Sequence, residues 1–425
     1  MDVLEQLIQD FKIPKMAKVR QHFPRPRIEK EDIPAVIREE LQKDGTLNRI
    51  KKGDKVAITA GSRGIANIAL ILKEIVDNVK AAGAHPFIIP TMGSHGGATA
   101  EGQVEVLHSL GITEEYVGAP IRATMEVVEL GTSKNGLPIR FDKYAATEAD
   151  ATIVVGRIKP HTSFRGKYES GLAKMIVIGL GKQKGAEICH ATGLEYMSAR
   201  IEDITRGALE KSNIVFGVGL IENAFDETCK IVALPSKKIM EEEPILLEEA
   251  RKNMPQIFID KYDILIVDEI GKNISGTGMD TNVVGRYTSA AIQCEPRVQR
   301  IVILDLTAET HGNANGMGLG DICTRRLFEK IDFAKTYANP LTSRVVPSIK
   351  MPMVMNNDSQ AIRAAIKTCF DVDYDKIKMV RIKNTLKVDE IYISEHLLDE
   401  AKAHPNIEIL EEPKPMVFDE NGNLF

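Results

Sequence analysis

Two side chains in the stretch GLAKMIVIGLGKQKGAEICH, residues 171–190, have types and a spacing that suggest chemistry. Lys174 lies in an otherwise apolar run, and burial would lower the pKa of its amine and make it nucleophilic. The same lysine could instead be solvated at the start of a strand. His190 ends the predicted helix KQKGAEICH, where it could cap the helix or act as a single imidazole ligand of a metal whose other ligands are not side chains.

Three further candidates, Arg63, His95 and His161, follow predicted strands. Two histidines at strand ends could act as general acid and base on opposite faces of one substrate, because imidazole titrates near neutral pH. The guanidinium of Arg63 has the fork geometry that binds a carboxylate or a phosphate. All three could also be solvated loop residues.

The elements that must position these candidates are strands and helices in alternation. The apolar runs KVAITA (55–60), PFIIPT (86–91) and DATIVVG (150–156) predict buried strands, each of which leads into a polar loop. A helix is predicted over residues 65–83, ending at Gly83, because glycine favours a left-handed cap. This order implies a parallel sheet, and ligands bind at the carboxyl ends of its strands.

The chain has 425 residues, more than one hydrophobic core normally organises. The apolar runs at 262–271 and 300–306, with glycine-rich loops between them, predict a second α/β unit. We therefore predict an α/β fold of two domains with mainly parallel sheets. The predicted domains are residues 1–255 and 256–425, and a return of the last residues to the first domain is left open.

The composition excludes several classes of function. The net charge is −5 and the basic residues are scattered, which argues against a nucleic-acid partner. No apolar stretch approaches the roughly 20 residues that span a bilayer, so we predict no membrane segment and a cytoplasmic protein. The cysteines lack CxxC spacing, which fits free thiols in a reducing compartment; they are Cys189, Cys229, Cys294, Cys323 and Cys369.

Several familiar motifs are missing from the sequence. There is no phosphate loop, no complete dinucleotide fingerprint, no HExxH and no GxSxG. Residue types and spacing alone therefore indicate a two-domain α/β enzyme that carries an arginine, two histidines, a candidate buried lysine and a further histidine.

The motifs GSRG, GSHGG, KPHTSFRGKYESGLAKMIVIGLG and ICH, in this order and spacing, resemble the nickel-dependent lactate racemase family. The likeness covers residues 50–225, and the sixteen-residue spacing of Lys174 and His190 is its most specific element. The resemblance implies two α/β domains joined by a hinge, with the active site in the cleft between them.

The resemblance also implies a cofactor, nickel held by pyridinium-3,5-bisthiocarboxylic acid mononucleotide, the nickel pincer nucleotide. By position, Lys174 matches the lysine that carries this nucleotide covalently through a thioamide, and His190 matches the histidine that completes the nickel coordination. Acylation requires a neutral amine, which a buried lysine supplies. The enzymes that make the cofactor are then expected partners.

The family's acid and base histidines match His95 and His161, and its carboxylate-binding arginine matches Arg63. The implied activity is that of a racemase or epimerase of a 2-hydroxy acid. Hydride passes from the substrate Cα to the cofactor, the planar 2-oxo acid rotates, and hydride returns to the other face. The segment between His161 and Lys174 is three residues longer than the family's usual one.

The predicted C-terminal domain differs from the family at its substrate residues. The stretch MDTNVVGRYT leaves Arg286 as the candidate replacement, and the loop THGNANGMGLGD (310–321) offers His311 and Asn313. The chain contains no tryptophan, so the family's pocket tryptophan is missing. We therefore predict a substrate larger or more polar than lactate, such as a sugar acid.

Two other functions compete with the racemase hypothesis. Lys174 could form a Schiff base with a carbonyl substrate in a metal-free lyase or aldolase. Alternatively, the protein could be a hydroxy-acid sensor that binds without turnover.

Overall fold

The computed structural model describes residues 3–289, 292 and 295–425. Within this part of the chain, the contacts separate an N-terminal unit, Pro24–Met254, from a C-terminal unit, which combines Pro255–Phe425 with the described residues up to Phe23. Cys294 lies outside the described residues, and the other cysteines are free thiols.

The strands are β1 (Met16–Gln21), β2 (Lys55–Ala60), β3 (His85–Pro90), β4 (Val127–Thr132), β5 (Pro138–Asp142), β6 (Ala151–Arg157), β7 (Ile214–Glu222), β8 (Thr228–Pro235), β9 (Lys261–Ile270), β10 (Arg297–Leu306), β11 (Ile322–Thr324), β12 (Met353–Met355), β13 (Met379–Ile382), β14 (Glu390–Ser394) and β15 (Ile407–Ile409).

The α-helices are α1 (Val3–Ile8), α2 (Ile33–Gln42), α3 (Ile68–Ala81), α4 (Ala100–Ser109), α5 (Glu114–Val117), α6 (Lys143–Thr147), α7 (Leu172–Lys174), α8 (Lys182–His190), α9 (Met197–Lys211), α10 (Ser236–Asn253), α11 (Thr281–Val284), α12 (Arg325–Glu329), α13 (Phe333–Ser343), α14 (Asp358–Thr368) and α15 (Leu398–Ala403). A π-helical turn, Met175–Gly179, follows α7 directly.

The N-terminal unit is built on a sheet with the strand order β3-β2-β6-β7-β8. The strands β3, β2, β6 and β7 are parallel, and β8 runs antiparallel to β7. Helices cover both faces of this sheet, as a parallel sheet requires. Val56 and Ile58 of β2 pack with α2, α3 and α4 on one face, whereas Ala57 packs with α7, α9 and α10 on the other.

The C-terminal unit contains the mixed sheet β12-β11-β10-β9-β13-β14-β1-β15. It is parallel from β12 to β13 and antiparallel from β13 to β15. Together the two sheets confirm the predicted α/β class with mainly parallel strands.

The ends of the chain account for the difference between these units and the predicted domains. Residues up to Phe23 were predicted in the first domain, but β1 pairs with β14 and β15 and so belongs to the C-terminal unit. The last residues stay in the same unit, where Lys414 bridges Met16. The break after Met254 lies next to the predicted boundary at 255.

In the part of the chain that the structure describes, no helix combines the length and the apolar composition needed to cross a bilayer.

Candidate functional site

The site lies at the carboxyl edge of the N-terminal sheet. The strand β2 lies between β3 and β6. Arg63 follows β2, His95 follows β3 and His161 follows β6. A pocket of about 200 Å³ opens at this edge, and Arg63, His95 and Lys174 are among its lining residues. Three of the predicted side chains are thereby brought together.

Lys174 and His190 are carried by a helical segment that changes direction. In one straight helix, residues sixteen apart would be separated by about 24 Å along the axis. Here the segment breaks between the π-helical turn and α8, where Lys182 has a φ of 54°. Glycine is required beside this break, since a β-carbon on Gly181 would lie 2.1 Å from the carbonyl oxygen of Val177.

Lys182 itself stabilises the break. Its side chain is fully buried, its Nζ lies 3.0 Å from the carboxylate of Asp142, and it donates a hydrogen bond to the carbonyl of Pro90. Burial lowers the pKa of Lys182, and the nearby Asp142 opposes that shift. The burial of Lys182 was not predicted, because its position in KQKGAEICH is typical of a solvated helix start.

Lys174 is half-buried and has no hydrogen bond or ion pair with any described residue. Burial lowers the pKa of its amine to about 8, and the positive charge of Arg63 adds to this effect. A sizeable fraction of the amine is therefore neutral near physiological pH. This is the state that the chemistry expected of Lys174 requires.

The start of α7 is held by a buried carboxyl group on α10. Oε2 of Glu243 accepts a hydrogen bond of 2.9 Å from the backbone N–H of Ala173. The approach is close: a β-carbon on Gly171 would lie 2.3 Å from Oε1 of Glu243. Burial raises the pKa of Glu243 to about 7. Sequence reasoning missed this residue, since the run EEEP is typical of a solvated helix face.

His161 is held by its own loop. Its Nδ1 accepts a hydrogen bond of 3.0 Å from the backbone N–H of Ser163, and its ring stacks on Phe164 at 4.2 Å between centroids. Burial lowers the pKa of His161 well below its usual value, and the charges of Lys174 and His190 lower it further. His161 therefore lies close enough to both residues to sense their charges, although it is not among the residues that line the pocket.

The loop that carries His161 is organised by a second buried carboxylate, Glu169. This side chain accepts hydrogen bonds from the backbone N–H groups of His161 and Gly166 and forms ion pairs with Arg165 and Arg251. Sequence reasoning missed Glu169 as well. The i, i+4 pair in FRGKYE was a signal for Arg165, but nothing pointed to Arg251, which lies 82 residues away on α10.

His95 is oriented by other contacts. Its Nδ1 lies 2.8 Å from the carbonyl oxygen of Met92 and 3.0 Å from Oγ of Ser62. The glycine-rich loop around it is held by the buried side chain of Gln103, which donates to the carbonyl of Gly93 at 3.0 Å.

Arg63 has no hydrogen bond or ion pair with any residue that the structure describes. Partial desolvation at the pocket lowers the pKa of its guanidinium, and the neighbouring Arg157 lowers it further. Arg157 is itself paired with Glu222. Arg63 is therefore the guanidinium here whose donors are available for an anionic ligand.

His190 is the last residue of α8 and is half-buried. Among the described residues, no group of three histidine, cysteine, aspartate or glutamate side chains could hold a metal ion. Within the described part of the chain, an ion bound by His190 would therefore have at most one further histidine, cysteine or carboxylate ligand, and its other ligands would be of another kind.

The three candidates from the predicted C-terminal domain lie in the C-terminal unit. Arg286 is ion-paired with Asp321 and donates to backbone carbonyls, so its donors serve the structure of that unit and we leave it out of the proposed site. His311 is exposed at a left-handed position, with a φ of 51°. Asn313 donates to the carbonyl of Lys335.

Part of the chain matches a known protein family. Residues 5–201 match the family model described as lactate racemase N-terminal domain, a stretch that includes every candidate from Arg63 to His190. No curated protein sequence matches the chain. The fold is similar to that of the lactate racemase apoprotein from Thermoanaerobacterium thermosaccharolyticum, with 14% identity, coverage of 88% of this chain and 99% of that chain, and a TM-score of 0.53. We conclude that residues 5–201 of this chain are similar to the lactate racemase N-terminal domain family, and that the chain shares the fold of the lactate racemase apoprotein.

Proposed function

We propose that this protein is an isomerase that interconverts the stereoisomers of a 2-hydroxy acid. The match of residues 5–201 to the lactate racemase N-terminal domain family supports the racemase class. The observation that carries the proposal is the state of Lys174, a half-buried amine with a pKa lowered to about 8 and no partner among the described residues. It lines a pocket with Arg63 and His95, so an amine that can be acylated lies beside an anion-binding group and an imidazole.

The side chains present fit a nickel pincer nucleotide. Lys174 would hold the nucleotide covalently, and His190 would provide an imidazole ligand to its nickel, a ligand type that suits this metal. The chemistry that such a group supplies when bound is reversible acceptance of hydride from the substrate Cα. The enzymes that synthesise the nucleotide would be partners of this protein.

The protein's own residues would then bind and orient the substrate. The unpaired guanidinium of Arg63 would bind the carboxylate and limit how the substrate can turn. His95 would take the hydroxyl proton on Nε2 and later return it, because its Nδ1 lies against a carbonyl oxygen that can only accept. His161, whose Nδ1 already accepts a hydrogen bond, would donate from Nε2–H to the substrate oxygen.

We further propose that the substrate is larger or more polar than lactate, for example a sugar acid. Beside Arg63, the pocket is lined by the hydroxyl side chains of Ser62 and Ser170, which favours a substrate with several polar groups. The lack of tryptophan removes one bulky side chain that could restrict its size. His311 and Asn313 remain candidates for contacts with its hydroxyl groups.

The experiment is to produce the protein together with the enzymes that make the cofactor, and to screen 2-hydroxy acids and sugar acids for deuterium exchange at Cα and for epimer formation. Intact-mass measurement should show a nucleotide adduct that is lost in Lys174→Arg but kept in Lys184→Arg, a change of an exposed lysine on α8. His190→Ala should keep the adduct and lose nickel. An unmodified Lys174 in an active protein would refute the cofactor assignment.

The low pKa of Lys174 would also suit Schiff-base chemistry. Borohydride reduction in the presence of a 2-oxo acid would then leave the substrate attached to Lys174, with activity independent of nickel. Ligand binding without any turnover would instead indicate a sensor. The match to the lactate racemase N-terminal domain family favours neither alternative.

A further inference from the structure

Glu169 is a fully buried carboxylate that bonds the backbone of His161 rather than its ring. Its Oε2 lies 2.6 Å from the backbone nitrogen of His161, and its Oε1 lies 3.2 Å from that of Gly166. Two arginines neutralise its charge, Arg165 from the same loop and Arg251 from α10. A buried carboxylate is tolerated only when it is paired in this way.

The helix α10 supports this loop at more than one point. Besides the Arg251 contact, the backbone carbonyl of Met240 accepts a hydrogen bond of 2.5 Å from the hydroxyl of Tyr168. Glu243 accepts a hydrogen bond from the backbone N–H of Ala173 at the far end of the loop. The segment between His161 and Lys174 is therefore fixed against one helix along its length.

The conformation of this loop decides which nitrogen of His161 carries the proton. A backbone N–H can only donate, so the bond from Ser163 to Nδ1 places the proton of the neutral ring on Nε2. That bond exists only while the backbone of residues 161–163 keeps its present turn, and the Glu169 bond to the backbone of His161 holds one end of this turn.

The contacts indicate that Glu169 acts on the position of His161 and not on the charge of its ring. The groups that shift the pKa of His161, after burial, are Lys174, His190, Arg165 and Arg63, all of them cations. Glu169 makes no hydrogen bond with the imidazole among the described residues. It is thus unlike a carboxylate that ion-pairs with a histidine ring and stabilises the imidazolium form.

We propose that Glu169 and Arg251 form a positioning pair that holds the His161 loop so that His161 presents a protonated Nε2 to the substrate. The inference rests on the proposed function only in assigning a substrate contact to His161. Neither Glu169 nor Arg251 contacts the reacting atoms, and both act through the loop.

The test uses ¹⁵N NMR of histidine side chains in the full-length protein without cofactor, with the His161 signals identified by their loss in His161→Gln. In the wild type, His161 should show a protonated Nε2 and an unprotonated Nδ1. In Glu169→Gln and Arg251→Met the two nitrogens should move toward averaged values, while the signals of His95 stay in place. Glu249→Gln, which changes a half-exposed carboxylate on α10 paired with Lys230, is the control and should leave His161 unchanged.

The kinetic arm uses the cofactor-loaded protein. We expect kcat to fall about 10- to 100-fold in Glu169→Gln with little change in KM, because the pair affects the geometry of a reacting group and not the carboxylate contact. Arg251→Lys keeps the charge of the pair, so its kcat should lie closer to the wild-type value than that of Arg251→Met. It also shows whether a loss in Arg251→Met arises because that variant fails to fold. Wild-type His161 signals in both Glu169→Gln and Arg251→Met would overturn the proposal. Shifted signals in a protein that isomerises no hydroxy acid would leave the positioning pair intact and refute the proposed function instead.

Discussion

The two histidine loops of the site are held in different ways. The His95 loop is stabilised by neighbours close in sequence, the carbonyl of Met92 and the side chain of Gln103, with Ser62 from the adjacent strand end. The His161 loop depends on an ion pair between Glu169 and Arg251, 82 residues apart. One imidazole therefore depends mainly on local structure, and the other depends on the packing of a distant helix.

The same difference gives the two rings opposite hydrogen-bonding roles. The Nδ1 of His95 faces an acceptor, whereas the Nδ1 of His161 faces a donor. The outer nitrogen is then a proton acceptor in His95 and a donor in neutral His161. A comparison of the two loops in one protein can show whether these roles matter.

The largest expected effect is the loss of catalytic rate when either histidine is replaced. His95→Ala and His161→Ala should each lower the rate by about two to four orders of magnitude, the usual range for acid and base catalysis, with nickel retained. Glutamine keeps an N–H donor but cannot take a proton. His161→Gln should therefore recover activity relative to His161→Ala, while His95→Gln should not improve on His95→Ala. Turnover measurements on the four variants check this, and equal recovery at both positions would remove the distinction.

A smaller effect on stability should distinguish the long-range pair from a surface pair. Arg251→Met leaves the fully buried Glu169 with one partner fewer and should lower the free energy of unfolding by about 1–3 kcal/mol. The matched control is Arg206→Met, which breaks a half-exposed i, i+4 pair with Glu202 and should cost less than about 1 kcal/mol. Urea denaturation measures both, and equal losses would mean that the buried pair has no special role in the N-terminal unit.

A further effect, which depends on pH, concerns Lys174, which lies beside both loops. Its pKa is about 8 when folded and 10.5 without perturbation, so between these pH values the unfolded chain binds a proton that the folded chain has released. The contribution of Lys174 to stability therefore rises with pH across this window. The measurement is the free energy of unfolding as a function of pH for the wild type and for Lys174→Met. The difference between the two curves isolates the contribution of Lys174, because the other buried lysine, Lys182, is present in both proteins. A flat difference curve between pH 8 and 10.5 would contradict the lowered pKa.

The sequence predicted the part of the site that depends on local pattern. Apolar runs located β2, β3 and β6, and the polar loops after them brought Arg63 and His95 to the pocket with Lys174. The match to residues 5–201 supports the resemblance read from the motifs. The assignment of roles to these residues remains a prediction that the experiments above address.

The features that were not predicted depend on contacts across long stretches of chain. Glu169 and Glu243 lie in charged runs that look solvated, and their burial is set by the packing of α10 against the loop. The φ of 54° at Lys182 accompanies a buried pair with Asp142, forty residues earlier. The place of β1 in the C-terminal unit depends on pairing with β14, near the other end of the chain.

The break at Gly181 and Lys182 also limits how this segment can change in evolution. Every residue of α8 turns the helix by about 100°, so a single insertion or deletion within it would change the direction in which the side chain of His190 projects. The exposed side chains of Gln183, Lys184 and Glu187 are open to substitution, because they touch solvent. The number of residues between the lysine and the histidine should therefore be preserved more strictly than their identity.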